Sequence, residues 1–335
     1  MNTFYIGGKA RPGEQARALH EAKFQYFEAV IVEKEDWKGI EHEAEQGLYA
    51  ISVDIKGKER EQRWKELKER VGWLRDLASA NNLGWLYVSV DGFPENIEKL
   101  RQLKYESKAI ECLPATSPAA LDAQTTYPKD LLFHARSAEA KILIDICHLF
   151  QTGVYVQALQ KPLEVRIQND GSLHTIIPPA AALWYYDAFQ QVSESGYLAP
   201  FTQNNGHVFV AEQPQPKAEE LDKRIHLPDG RVLKAYGDTS LTCVDWRNKD
   251  LYNYYSYAIP LLVESKKKIA QWFRSHTFIT DSGDDEMYSV LNPQEVVKQL
   301  MQAEIKVMIL ENNKESAEKL IRDAEFFTRY LFSLS

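Results

Sequence analysis

Glu111, Asp145 and His148 have side chains able to ligate a metal or move a proton, and each sits where a short apolar run ends. In Lys141–Gly153, KILIDICHLFQTG, the run Ile142–Ile144 is cut by Asp145, and His148 follows three residues later. Short apolar runs ending in polar side chains are the pattern of a buried parallel strand leaving the core. At that carboxyl end, α/β folds place ligands and metals. A second exit lies upstream in Ala109-Ile110-Glu111-Cys112-Leu113-Pro114, one strand, one helix and two loops before the first. Two carboxylates and an imidazole on one rim suit a divalent cation.

The elements that must position these residues alternate through the first half of the chain. Strands are expected at Thr3–Gly7, Ala29–Glu33, Leu48–Ile55, Trp85–Asp91, Lys108–Leu113 and from Lys141. Helices are expected at Gly13–Phe27, Lys34–Gln46, Lys58–Ala80, Pro94–Tyr105 and Pro128–Ser137. Six strands alternating with helices favour a parallel sheet, either a barrel or a doubly wound fold. The stretch Gly7–Gly13 contains glycines but no GxGxxG, which weighs against the dinucleotide-binding version, and no phosphate-cradling P-loop pattern occurs. Towards the end, Asn292–Ala303 reads as a helix, Lys306–Leu310 as an apolar strand exiting at Glu311, and Glu315–Leu334 as a final amphipathic helix.

Composition narrows the classes. The chain has 335 residues, a formal charge of −8 and 44% hydrophobic residues, enough for a large core and unlike a disordered chain. No apolar run approaches the ~18 residues that span a bilayer. The acidic balance argues against a nucleic-acid partner. Three cysteines without paired spacing (Cys112, Cys147, Cys243), and a start at Met1–Gly8 without a charged lead, give the expectation of a reducing, cytoplasmic location.

The pair IECLP … ILIDICHLFQTG resembles the fifth and sixth strands of the xylose isomerase-like TIM barrels. That superfamily includes sugar isomerases and epimerases, inosose dehydratases and type IV AP endonucleases. The segment Thr126–Leu132, TYPKDLL, resembles the family's helix start between those strands, and the likeness is concentrated in Lys108–Gly153. The resemblance implies a (β/α)8 TIM barrel whose eighth strand is Val307–Glu311. Its seventh would be Ser275–Gly283, about 30 residues earlier. Residues 1–153 would then hold six β/α units, 154–274 a large insertion or subdomain after strand six, and 275–335 the last two units. A rival parse makes Leu163–Asp170 the seventh strand and Ala199–Asn204 the eighth, with a second domain beyond.

The chemistry implied by the resemblance is that of a metal-dependent isomerase, epimerase or dehydratase of a sugar-like carbonyl compound. A divalent cation (Mn²⁺, Mg²⁺, Co²⁺ or Zn²⁺) would be held by Glu111, Asp145, Glu311 and His276. Glu111 and Glu311 would remove and return a proton across an enediolate, and His148 would orient Asp145 or bind the small-molecule substrate. The family's seventh-strand histidine usually stands three residues before an acid. Phe278 holds that place here, and His276 lies five before Asp281. Two other readings remain: a non-catalytic degenerate barrel serving a binding role, and an AP-endonuclease-like phosphodiesterase, which by resemblance needs histidines on early strands where strands three and four here offer Asp54 and Asp91. Each candidate also has a plain structural reading: Glu111 and Glu311 as solvated strand-end acids, Asp145 as a cap, His148 as its bonded partner. Cys112 and Cys147 should point to the helix layer as packing. The Tyr252, Tyr254, Tyr255 and Tyr257 group with Trp272 reads as a core of the insertion or as a protein interface, which admits a homo-oligomer.

Overall fold

Eight strands, all parallel, lie edge to edge in the computed structural model. The structure describes residues 4–12, 19, 24, 26–45, 50–55, 60–113, 125–160, 164–167, 173–176, 179–204, 208–210, 223–226, 232–236, 243–244, 278–280, 291–310 and 324–325. In chain order the barrel strands are β1 (Tyr5–Ala10), β2 (Tyr26–Ile31), β3 (Ala50–Ile55), β4 (Leu86–Asp91), β5 (Lys108–Glu111) and β6 (Lys141–Leu143), then β9 (Phe201–Asn204) and β15 (Val307–Leu310). The sheet order is β6-β5-β4-β3-β2-β1-β15-β9. The two ends of that order meet. Parallel bridges join Ile142 to Leu198 and Asp145 to Gln203, and Gln203 N donates to Ile144 O at 2.9 Å. The sheet is a nearly closed barrel.

Helices α1 (Asp36–Ala44), α2 (Arg60–Ala80), α3 (Pro94–Gln102), α4 (Pro128–Ala138), α5 (Ile146–Gln160), α6 (Pro179–Glu194) and α7 (Pro293–Gln302) accompany the strands. Prolines open α3, α4, α6 and α7, where a missing N–H costs nothing and the fixed φ suits the first turn. Asn292 caps α7, its side chain accepting from Gln294 N at 3.0 Å and Glu295 N at 3.4 Å. One strand face meets these helices. Ile110, Ile142, Met308 and Leu310 pack there with Leu67, Leu100, Leu131 and Val297 in the principal core. Between α5 and α6 the backbones nearly touch: a β-carbon at Gly153 would lie 2.7 Å from Ala181 O.

The other strand face fills the lumen. Tyr26, Ala109, Leu143, Ala199, Phe201, Val307 and Ile309 form a separate buried cluster, with Tyr5, Trp85 and Tyr87 packed against it. Phe201 stacks on Trp85 at 6.3 Å between ring centroids and meets Tyr87 edge-on at 5.1 Å. Because side chains alternate with period two, the residues two positions on from this aromatic plug also face inward. Those are Glu28, Ser89, Glu111, Asp145 and Gln203.

The barrel matches the fold expected, but its seventh strand does not lie where it was sought. Phe278–Thr280, within the expected Ser275–Gly283, is a strand (β14), yet it pairs antiparallel with Val208–Val210 (β10) outside the barrel. The rival parse errs differently. Within Leu163–Asp170, Glu164–Ile167 (β7) is one arm of an antiparallel hairpin with Leu173–Ile176 (β8). Ala199–Asn204 does hold a barrel strand, β9, but it is the seventh. Residues 154–274 are therefore not one insertion after strand six, since α6 and β9 belong to the barrel. The long excursion instead runs from β9 to β15. It includes the small antiparallel sheet of Lys223–His226 (β11), Val232–Tyr236 (β12) and Cys243–Val244 (β13). The first helix was also drawn too long: Tyr26 and Phe27, expected at the end of Gly13–Phe27, open β2 because they supply its lumen-facing and helix-facing apolar groups. The expected helix at 315–334, apart from a short helical piece at 324–325, and the Tyr252–Trp272 aromatic group fall outside the described residues.

Candidate metal centre

The exits of β5 and β6 lie side by side because those strands pair directly, Glu111 opposite Leu143. Both exits end on an inward position, so the carboxylates of Glu111 and Asp145 enter the lumen. Both residues are buried, Asp145 completely and Glu111 with 4% exposure. The first turn of α5 returns His148 to the same place. Ligand atoms of Glu111, Asp145 and His148 all lie within 4.8 Å of one another.

The local chain holds this arrangement from several sides. Asp145 Oδ1 accepts from His148 N at 3.0 Å, a side-chain cap on the first turn of α5. Asp145 N donates to Cys112 Sγ at 3.2 Å, so the residue after Glu111 pins the backbone of the residue that must face it. Burial pushes the Cys112 thiol well above its ordinary value, and the neighbouring Asp145 carboxylate adds to that. The thiol therefore stays protonated, packed in the helix-side core with Cys147 as the alternation requires. At the exit of β4, a β-carbon on Gly92 would lie 2.4 Å from Thr125 Oγ1 and 2.8 Å from Glu111 O. Only glycine lets that loop pass so close to the backbone of Glu111.

His148 Nδ1 lies 2.9 Å from Cys112 O. A carbonyl only accepts, so Nδ1 carries the hydrogen. The same nitrogen is 3.4 Å from Glu111 Oε1 and 3.9 Å from Asp145 Oδ2. From this side the imidazole is an N–H donor towards the acids, not a lone pair towards an ion. Asp145 Oδ2 is fully buried and accepts no hydrogen bond. A buried carboxylate oxygen in that condition calls for a cation or a donor. Two carboxylates, one with an oxygen left over, fit a divalent ion.

Below this rim lies a polar layer that sequence reasoning missed. Lys9 Nζ is 3.3 Å from Glu28 Oε2, with both side chains almost wholly buried. Glu28 Oε1 accepts from Ser52 Oγ at 2.9 Å and Ser89 Oγ at 3.0 Å. Gln203 Nε2 donates to Glu28 Oε2 at 2.7 Å. Strands β2 and β9 are not neighbours, so this last bond crosses the lumen. The available signal was the inward series Tyr5, Gly7, Lys9 in β1, hidden by ending the expected strand at Gly7, short of Lys9.

Glu311 and His276 lie outside the described residues. The inward position on the seventh strand belongs to Gln203. Asp91 stands opposite Glu111 in the register of β4 and β5 and is half-buried. Among the described residues no helix is long and apolar enough to cross a membrane.

No protein-family model matches the chain, and no curated protein matches it. Among solved structures it is similar to a xylose isomerase-like TIM barrel protein from Mycobacterium smegmatis, crystallised in complex with magnesium. The TM-score is 0.45 and the identity 12%, over 99% of this chain and 97% of that one. It is similar to endonuclease IV from Thermus thermophilus at the same TM-score and identity, over 98% of this chain and 99% of that one. At this distance the barrel rests on the chain's own strand pairings, and they are enough: this is a TIM barrel.

Proposed function

We propose that the protein is a metal-dependent isomerase or epimerase, or a dehydratase, of a sugar-like carbonyl compound. The observation that carries this reading is the meeting of Glu111, Asp145 and His148 at the carboxyl ends of adjacent barrel strands, with Asp145 Oδ2 buried and unpartnered. A divalent ion held by Glu111 and Asp145 would polarise a carbonyl and its neighbouring hydroxyl. Glu111 is the proposed base, taking the proton from the carbon beside the carbonyl. His148, whose ring is held by the Cys112 carbonyl, lies beside Glu111, and its backbone N–H keeps Asp145 oriented. Glu311 keeps its proposed role as the partner acid, by resemblance. Burial around Glu111 and Asp145 excludes water that would otherwise compete for the proton.

The test combines metal content with turnover. Purified protein should hold about one divalent ion per chain and interconvert a ketose with its epimer or aldose in a panel of sugars and polyols. Glu111→Gln keeps the volume but offers no basic oxygen. It should abolish turnover and weaken metal binding while the circular dichroism stays unchanged. A protein that binds no metal on titration would overturn the proposal in favour of a non-catalytic binding role. Salt-dependent binding to abasic duplex DNA would instead favour the phosphodiesterase.

A further inference from the structure

We propose that the side-chain carbonyl oxygen of Gln203 is the seventh strand's donor to the ion. The centre is then built from the oxygens of Glu111, Asp145 and Gln203, and it prefers Mg²⁺ or Mn²⁺ to Zn²⁺. This rests on the metal-centre reading above and deepens it.

Gln203 is completely buried and sits opposite Asp145 in the closing bridge of the barrel, so the two backbones run about 4.8 Å apart. Both side chains face the lumen. The orientation of the Gln203 amide is dictated by what it touches. Glu28 faces Lys9 and takes hydroxyl hydrogens from Ser52 and Ser89, which marks it as the ionised, accepting form. Gln203 must therefore turn its NH₂ towards Glu28, where it donates at 2.7 Å, and its oxygen away. That oxygen is buried and accepts nothing. Asp145 Oδ2, on the facing strand end, is in the same condition. Two buried acceptors on bridged strand positions, each without a donor, are costly in a dry interior, and one cation would satisfy both.

The charge and softness of the donors then choose the ion. Lys9 and Glu28 offset each other, which leaves the two negative charges of Glu111 and Asp145 for a divalent ion. His148 Nδ1 is committed to the Cys112 carbonyl, so on the side that faces the two acids it presents an N–H and no lone pair. Carboxylate and amide oxygens suit hard ions, whereas imidazole and thiolate draw Zn²⁺.

The experiment is calorimetric titration of the metal-free full chain with MnCl₂ and, separately, ZnCl₂. Wild type should bind one Mn²⁺. Gln203→Met, close in volume but without the amide oxygen, should bind it roughly tenfold or more weakly. Gln203→His keeps an N–H for Glu28 and supplies a nitrogen, so the ratio of Zn²⁺ to Mn²⁺ affinity should rise by about tenfold or more. Wild type that binds neither ion sinks the metal centre as a whole. Wild type that binds Mn²⁺, with Gln203→His leaving the ratio unchanged, sinks the role of Gln203 alone. That second variant decides the matter even if Gln203→Met fails to fold.

Discussion

Gln203 and Glu28 stand 175 positions apart in the chain and meet at 2.7 Å across the barrel lumen. Their contact joins the closing strand to the buried pair Lys9–Glu28, which makes the inner polar layer a single connected network. Removing Lys9 would leave Glu28 charged and buried, and breaking such a pair costs about 3–5 kcal/mol. Lys9→Met should therefore lower the urea midpoint strongly. The double variant Lys9→Met/Glu28→Gln should recover part of that loss, because no unpaired charge remains. Additive losses would mean that the two residues do not act as a pair.

Glu311→Gln tests architecture together with chemistry. If Glu311 works opposite Glu111, its amide variant should lose turnover as Glu111→Gln does, with a melting temperature within a few degrees of wild type. Normal activity per folded molecule would return Glu311 to the status of a solvated strand-end acid. Activity with a library of polyols, measured beside the metal content of both variants, separates these results.

Alkaline stability follows from buried groups held neutral. Burial raises Cys112 from an ordinary 9.0, and Tyr26 and Tyr185 from 10.0, in the folded state. Nearby Glu28 adds to the effect on Tyr26. With folded values above unfolded ones, unfolding releases protons once the pH passes the unfolded values. The stabilisation is complete below about pH 9 and is lost progressively as the pH climbs towards the folded values. Urea midpoints measured from pH 7 upwards should be flat and then fall beyond pH 9. In the native state at pH 8 neither Cys112 nor Cys147, both buried, should react with iodoacetamide, and rapid labelling of either would contradict this.

Gly92→Ala should disturb the site without touching a ligand. The added methyl would press on Thr125 Oγ1 and on the carbonyl of Glu111. Crowding of that kind costs about 1–3 kcal/mol, and relief by shifting Glu111 would weaken metal binding. A variant with wild-type melting and wild-type Mn²⁺ affinity would show that the loop has slack.

Most of the barrel was legible because its strands announce themselves in apolar runs. Ile142–Ile144 and Val307–Leu310 need hydrophobic side chains on both faces, one against the plug and one against the helices. Asp145 was legible for the same reason, as the first polar residue after Ile142–Ile144, and Glu111 likewise after Ala109 and Ile110. Phe201–Asn204 was legible only as the eighth strand of the rival parse, not as the seventh. Three of its four residues are polar yet all four are buried, which makes sense only with Glu28 and Asp145 in view. Local patterning reports how a residue meets solvent, and these residues never meet it. Lys9 and Glu28 were passed over likewise, since a charge in a short strand reads as solvated until its partner on the next strand is found. Phe278–Thr280 yields the seventh place to Phe201–Asn204 because an eight-membered parallel ring has one such place, and β14 is engaged antiparallel elsewhere.

The position of β15 between β1 and β9 also governs how the protein is made. The last barrel strand to leave the ribosome is the one that joins the first to the seventh. Until Val307–Leu310 emerges, the nascent sheet carries two bare edges, and unpaired edges recruit other chains. A polypeptide stopped just before this strand should therefore accumulate as aggregate, whereas supplying the missing piece in trans should restore soluble material.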